Sequence, residues 1–411
     1  MASPTLASTT STSPSLRGSS VLDVMKQAFL TDRLQGFGNT IFGEMSALAV
    51  ATDSVNLGQG FPDTDGPPEV FEAAIDAIRN GRGNQYPPAI GVAPLREAIA
   101  RHQQRFYGLT FDADTEVLVT VGATEAIAAS MLSLLDRGDD AIAFEPFYDS
   151  YAACIAMSGA TRVPVTLHAP GYALDVDALR RAITPRTRLI LLNTPHNPTG
   201  KVFTRVELQA IADLAIEHDL LVVADEVYEH LVFDGEHIPI ATLPGMRERT
   251  VTIGSGGKVF SCTGWKVGWV TAPAALVSAV RCAKQFLTYV GSGPFQFAVA
   301  VGLDLPDQYF ADYANDLRIK RDLLCDGLAA AGFGVIKPQG TFFVTADVRP
   351  LGGIDGFDFC RELPHRAGVV AIPSQVFYDN VDAGRHLVRL AFCKRPEVLR
   401  EACARLAVLS A

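Results

Sequence analysis

Two periods alternate along the chain, and the alternation predicts an architecture. Short apolar runs read as strands at 116–121, 141–144, 161–165, 189–192, 220–224 and 251–253. Apolar residues three and four apart predict helices over 125–135, 176–183 and 205–218, with another following Tyr148-Asp149. Before this alternation, 40–49 has helical character, 69–80 forms a helix through Val70, Ala73, Ala74, Ala77 and Ile78, and a further helix begins within 91–100. Strands interleaved with helices indicate an α/β fold, a mostly parallel central sheet flanked by helices. Beyond residue 273 the pattern turns helical, with a long run over 309–331. Strands at 341–347 and 386–392 and a helix over 396–409 then read as a smaller α+β unit. The expected division is a large domain at 60–310, a small domain at 311–411, and an N-terminal segment, 21–59, packing with the small one. Residues 21–34 read as a short amphipathic stretch, and the Ser-, Thr- and Pro-rich residues 1–20 as a disordered tail.

Composition narrows the classes. The chain has 411 residues, 48% of them hydrophobic and 19% charged, as in an ordinary globular protein. Acidic residues outnumber basic ones, 45 to 35, which argues against binding to nucleic-acid backbones. No run approaches the roughly 18 apolar residues that a membrane span needs. The tail lacks the apolar core of a secretory signal, so a cytoplasmic protein is expected. Seven cysteines stand at 154, 262, 282, 325, 360, 393 and 403 without paired spacing. They read as small buried apolar residues, and no metal site is expected.

Ligands of such sheets bind beyond the carboxyl ends of the strands, which singles out the residues that follow each run. After 189–192 comes Asn193-Thr-Pro-His-Asn197-Pro-Thr-Gly200. After 220–224 comes Asp225-Glu-Val-Tyr228, and after 251–253 comes Gly254-Ser-Gly-Gly-Lys258, expected in a tight loop. A nucleotide P-loop is excluded there, because Thr252 replaces its first glycine and Val259 its Ser or Thr. Gly122-Ala123-Thr124 turns from strand into helix. That turn is either an anion site of backbone N–H groups or a simple cap by Thr124.

These residues match what a pyridoxal phosphate enzyme requires. Lys258 supplies the amine that joins the cofactor, and Asp225 a carboxylate for the pyridine nitrogen. Asn197 and Tyr228 donate to the ring oxygen. Gly122, Ala123, Thr124, Ser255 and Lys266 surround a phosphate, Tyr148 stacks on the ring, and Arg389 forks onto a substrate carboxylate. Taken singly, Asp225 could be a cap, Tyr228 a half-buried aromatic and Arg389 a solvated charge; the complete set favours the functional reading.

The sequence resembles fold-type I pyridoxal-phosphate aminotransferases of class I from about Asn56 onward. The resemblance rests on Asn193-Thr-Pro-His-Asn-Pro-Thr-Gly, Asp225-Glu-Val-Tyr, Ser255-Gly-Gly-Lys and Gly264-Trp-Lys-Val-Gly-Trp. Asn56-Leu-Gly-Gln-Gly-Phe-Pro-Asp, Glu145-Pro-Phe-Tyr-Asp-Ser-Tyr and Ile372-Pro are similar to kynurenine and glutamine aminotransferases. Asn84-Gln-Tyr-Pro-Pro, 119–129 and 386–395 are similar to actinobacterial N-succinyldiaminopimelate aminotransferases. The resemblance implies a homodimer with active sites at its interface, with Tyr86 reaching the neighbouring subunit's phosphate. It also implies substrate contact by the Gly60 backbone, by Asn197 and by Arg389, catalysis by Lys258, Asp225 and Tyr228, and glutamate as amino donor. Two positions depart from the group's habit: Glu125 where many members have glycine, and Lys266 where others have arginine. No second arginine for a distal substrate carboxylate is identified by spacing. Rival readings are broad-specificity kynurenine, glutamine, aromatic or methionine transamination, and cysteine-conjugate β-elimination. A cofactor-sensing regulator is a further rival, for which the short N-terminal stretch is expected to leave no room.

Overall fold

The computed structural model describes residues 29–37 and 40–410. The tail expected at 1–20 and most of the amphipathic stretch expected at 21–34 lie outside them. Asp32–Leu34 form a single 3-10 turn. None of the described helices is long and apolar enough to cross a membrane.

The described strands are β1 (Val55–Asn56), β2 (Val117–Val121), β3 (Asp140–Glu145), β4 (Thr161–Thr166), β5 (Thr187–Asn193), β6 (Leu221–Asp225), β7 (Thr250–Ser255), β8 (Val267–Thr271), β9 (Gly334–Ile336), β10 (Phe343–Asp347), β11 (Val369–Val370), β12 (Ile372–Pro373) and β13 (Leu387–Ala391). Seven form the main sheet in the order β2-β8-β7-β6-β5-β3-β4. β3 to β7 pair in parallel, and β8 alone runs opposite, antiparallel to both β2 and β7. The mostly parallel, helix-flanked sheet therefore stands.

β8 was not among the expected strands. Its sequence, Val267-Gly-Trp-Val-Thr271, is buried throughout, so no apolar/polar alternation marks it. The connection from β7 is short, which suits an antiparallel neighbour, because a parallel one requires a longer crossover. The Trp269 ring is fully buried beneath the helices that cover this edge, worth roughly 4–6 kcal/mol of gross apolar burial.

Both faces of the central strands are covered, and successive residues alternate between two cores. Ala141, Ala143, Leu189 and Leu191 face one helical layer. Ile142, Phe144, Ile190 and Leu192 face the other, built on the helices Val176–Ala182 and Arg205–Glu217. This is why the runs read as continuous apolar stretches. Thr204 and Glu207 start the second of these helices with a reciprocal capping box.

β12-β13-β10-β9 form a smaller antiparallel sheet. β1 pairs in parallel with β11, and the helix Ile41–Ala51 packs on β11, β12 and the helix Gly356–Ala367. The helix Asp307–Ala330 spans residues 310 and 311 without a break, so the boundary expected there falls inside a continuous helix. Its apolar spacing continues across both residues and gives no signal for a division.

Candidate active site

β5, β6 and β7 end side by side at Asn193, Asp225 and Ser255, with Asn193 opposite Asp225 and Asp225 opposite Ile253. Their carboxyl ends open into a cavity of about 330 Å³, within the usual range for small-molecule sites. Every expected site residue except Tyr86 lines it: Gly60, Gly122, Ala123, Thr124, Tyr148, Asn197, Asp225, Tyr228, Ser255, Lys258, Lys266 and Arg389.

Lys258 sits on a four-residue helix, Gly256–Val259, where a loop was expected. The two glycines allow it. A Cβ on Gly257 would lie 3.0 Å from Thr263 Cα, and one on Gly256 would lie 2.9 Å from the Val299 side chain. The residue as a whole is half-buried, and its amine lies 5.7 Å from the Tyr228 ring centroid and 5.3 Å from that of Phe342. Burial holds its pKa below the ordinary lysine value, and Arg389 and Lys266 add to this while Cys393 and Asp225 oppose it. A lowered amine pKa makes the neutral, nucleophilic form easier to reach. From behind, the Tyr313 and Tyr309 hydroxyls donate to the Lys258 and Val259 carbonyl oxygens at 3.3 and 2.9 Å.

The Asp225 carboxyl is buried. Burial pushes its pKa up to about 6, against the pull of a hydrogen bond donated by the Tyr151 hydroxyl to Oδ2 at 2.6 Å. The Asn193 amide fixes the same turn twice. Its Nδ2 donates to the Asp225 carbonyl at 2.8 Å, and its Oδ1 accepts from Asn197 N at 2.7 Å. Tyr151 and Asn193 were absent from the expected set. Tyr151 carried a signal, since it lies three residues after Tyr148, near enough to share a helical face. Their rings meet edge to face at 5.7 Å.

At the other end, the helix begins at Gly122, three residues earlier than expected, so Gly122, Ala123 and Thr124 occupy its first turn with free N–H groups. Gly122 has φ +71°, and Lys266 crosses beside it, with Nζ 3.4 Å from Thr124 Oγ1. Glu125 does not line the cavity. Its buried carboxylate turns back to accept from Val121 N at 2.6 Å and from the Thr288 hydroxyl.

Arg389 comes from β13 of the smaller sheet and closes the cavity from the opposite side. Nη1 donates to Asn197 Oδ1 at 3.1 Å and Nη2 to the Gly58 carbonyl at 3.2 Å, while the buried Nε has no partner. No carboxylate pairs with it among the described residues, and burial lowers its pKa to about 10. With Oδ1 engaged by Arg389, Asn197 retains its amide N–H groups as donors. Gly60 is required by close approach, because a Cβ there would lie 2.4 Å from Phe343 Cζ. Tyr86 is 81% exposed and packs edge to face on Tyr289, at 5.6 Å.

Residues 52–406 match the family described as aminotransferase class I and II. The chain is 54% identical to a probable N-succinyldiaminopimelate aminotransferase of Mycobacterium tuberculosis, over 92% of this chain and 98% of that one. It is 39% identical to a methionine aminotransferase of Escherichia coli, over 91% and 97%. The solved structure of N-succinyldiaminopimelate aminotransferase from M. tuberculosis superposes with a TM-score of 0.91 at 55% identity, covering 92% of this chain and 100% of that one.

The donor chemistry fits the cofactor of this family, pyridoxal phosphate. A helix start with an adjacent ammonium suits a phosphate, a buried carboxyl with one oxygen already oriented by Tyr151 suits a pyridine nitrogen, and a lysine of lowered pKa suits an aldehyde. The chain belongs to the class I and II aminotransferases and is a pyridoxal-phosphate-dependent enzyme of fold-type I architecture.

Proposed function

We propose that the enzyme exchanges an amino group between glutamate and N-succinyl-2-amino-6-oxopimelate by a ping-pong route. It would thus act as N-succinyl-LL-2,6-diaminopimelate:2-oxoglutarate aminotransferase in lysine and diaminopimelate biosynthesis, in the cytoplasm. The substrate reading is supported by 54% identity to a relative bearing that activity in its name, over nearly the whole of both chains.

Bound, the cofactor supplies an electron sink for charge developing at the substrate α-carbon. The chain's own residues do the rest. Lys258 is the covalent anchor and, once released, the base that carries the α-proton. Asp225 would pair with the pyridine nitrogen and favour its protonated form. Asn197 and Tyr228 would donate to the ring oxygen, and Tyr148 would stack on the ring. Gly122, Ala123, Thr124, Ser255 and Lys266 would hold the phosphate. Arg389 and Asn197 orient the substrate α-carboxylate, helped by the Gly60 backbone. Tyr86, exposed and absent from the lining of its own cavity, is assigned to the partner's phosphate in a homodimer.

The observation that carries the catalytic reading is convergence on one cavity of Asp225, at the end of β6, Lys258, just beyond the end of β7, and Arg389, within β13 of the smaller sheet. Lys258→Ala is expected to abolish turnover and the visible absorption of lysine-bound cofactor; retention of both would overturn the assignment. For the substrate, glutamate-coupled rates with N-succinyl-2-amino-6-oxopimelate are compared with those for the oxo acids of kynurenine, methionine and phenylalanine. A flat profile would sink the substrate reading. Release of ammonia and pyruvate from cysteine conjugates without an acceptor would favour the lyase alternative.

A further inference from the structure

Behind the turn that follows Asp225, a second group of polar side chains is packed away from the cavity. His102 on the helix Ala93–Tyr107 and His230 on the turn after β6 point their Nε2 atoms at each other, 2.7 Å apart. The Glu229 carboxylate joins them, and the donor atoms of all three residues lie within 4.8 Å of one another. We propose that His102, Glu229 and His230 form a binding site for a divalent cation of the zinc class, empty in this structure. Filling it pins the Ala93–Tyr107 helix to the turn that carries Tyr228.

Two imidazoles and one carboxylate are a zinc-type donor set that leaves a fourth position for water. Tetrahedral ligands at about 2.1 Å from zinc stand roughly 3.4 Å apart. The imidazoles therefore need to separate by about 0.7 Å, and the carboxylate to swing in by at most about 1.4 Å, which side-chain torsions supply. The surroundings favour a fixed site. His102 and Glu229 are buried, the His102 ring packs against Phe106, Tyr107 and Phe310, and the Tyr107 phenol neighbours Glu229 as an outer partner. His230 is the least buried of the three. Glu229 N donates to the Glu226 carbonyl at 2.9 Å and Leu231 N to that of Tyr228 at 2.7 Å, so the site shares its turn with an active-site residue. The sequence shows no such motif, because the helix that brings His102 to the pair is remote along the chain.

The test uses the holoenzyme, stripped with chelator and titrated with Zn²⁺ alone, following heat of binding, metal retained after gel filtration and melting temperature. Stoichiometric uptake with a raised melting temperature is expected, both lost in His102→Asn and His230→Gln while cofactor absorbance is kept. Absence of uptake by the parent enzyme, or equal uptake by the variants, overturns the proposal. Should the histidine variants fail to fold, Glu229→Gln decides, since it keeps an oxygen toward Tyr107. At least about tenfold weaker binding is expected from loss of the carboxylate, and unchanged affinity overturns the site.

Discussion

The Tyr151 hydroxyl donates to Asp225 Oδ2 at 2.6 Å, and this bond is the strongest local influence holding the buried carboxyl toward its ionised form. The phenol cannot compete for the negative charge, because burial raises its own pKa well above the ordinary value. A hydrogen bond to a charged group is worth about 1.5–3 kcal/mol. Tyr151→Phe is therefore expected to raise the Asp225 pKa further and lower kcat roughly 10- to 100-fold, with KM little changed. The check is the pH profile of kcat: its limb should move to higher pH in the variant, whereas a lowered but unshifted profile would mean a merely structural role.

Asp225 also makes a prediction for stability. Its folded pKa, about 6, lies above the ordinary 3.8, so between these values the folded chain binds a proton that the unfolded chain has released. Stability from this group is full below about pH 4 and is lost as pH rises through 6, by roughly 3 kcal/mol. In cofactor-free enzyme, Asp225→Asn should gain on the parent by about that amount between pH 4 and pH 7. Chemical denaturation at both pH values measures it, and a gap independent of pH would refute it.

Arg389 reaches the cavity with Nε unpaired and no carboxylate partner, although three aromatic rings enclose it, with Phe343 centred 4.1 Å from its guanidinium carbon. A buried cation left without an anion implies one brought by the substrate. Arg389→Lys retains charge but loses the two-pronged fork. The expected result is a rise in KM for both amino and oxo acid of roughly 10- to 100-fold, consistent with a charged bond of about 1.5–3 kcal/mol, with cofactor absorbance unchanged. Equal KM in steady-state assays would remove Arg389 from substrate binding.

The parallel strands and the loops at their carboxyl ends were legible because continuous apolar runs, punctuated by Gly, Pro and Asn, are what a sheet buried on both faces demands. β8 was not legible, since Val267-Gly-Trp-Val-Thr lies within a motif read for its lysine and has no polar face. Asn193 was passed over because its work is on the backbone of Asp225 and Asn197, a contact between strands that spacing along one strand does not disclose. Glu125 shows the converse: its residue type suggested a change at the phosphate end, yet the carboxylate faces away, onto Val121 and Thr288. Side-chain direction at a helix start depends on neighbours from elsewhere in the chain, and those are set by tertiary packing.

The two glycines of Gly264-Trp-Lys-Val-Gly268 look equivalent in sequence and are opposite in space. A Cβ on Gly268 would lie 2.5 Å from Gly122 C and 2.7 Å from Ala123 N, backbone atoms of the helix start that cannot turn aside. On Gly264 a Cβ would meet nothing within 4 Å, and its φ lies outside the left-handed region. Gly268→Ala must therefore push β8 and the Gly122–Thr124 turn apart, displacing the N–H groups next to Lys266. Overpacking of this kind costs about 1–3 kcal/mol, which predicts roughly 5- to 150-fold weaker cofactor binding if the strain falls on the phosphate end. Gly264→Ala should match the parent in melting temperature and in cofactor affinity. Fluorescence titration of the cofactor-free proteins compares the two variants, and equal affinities would show that the close approach of β8 to Gly122 does not shape the phosphate end.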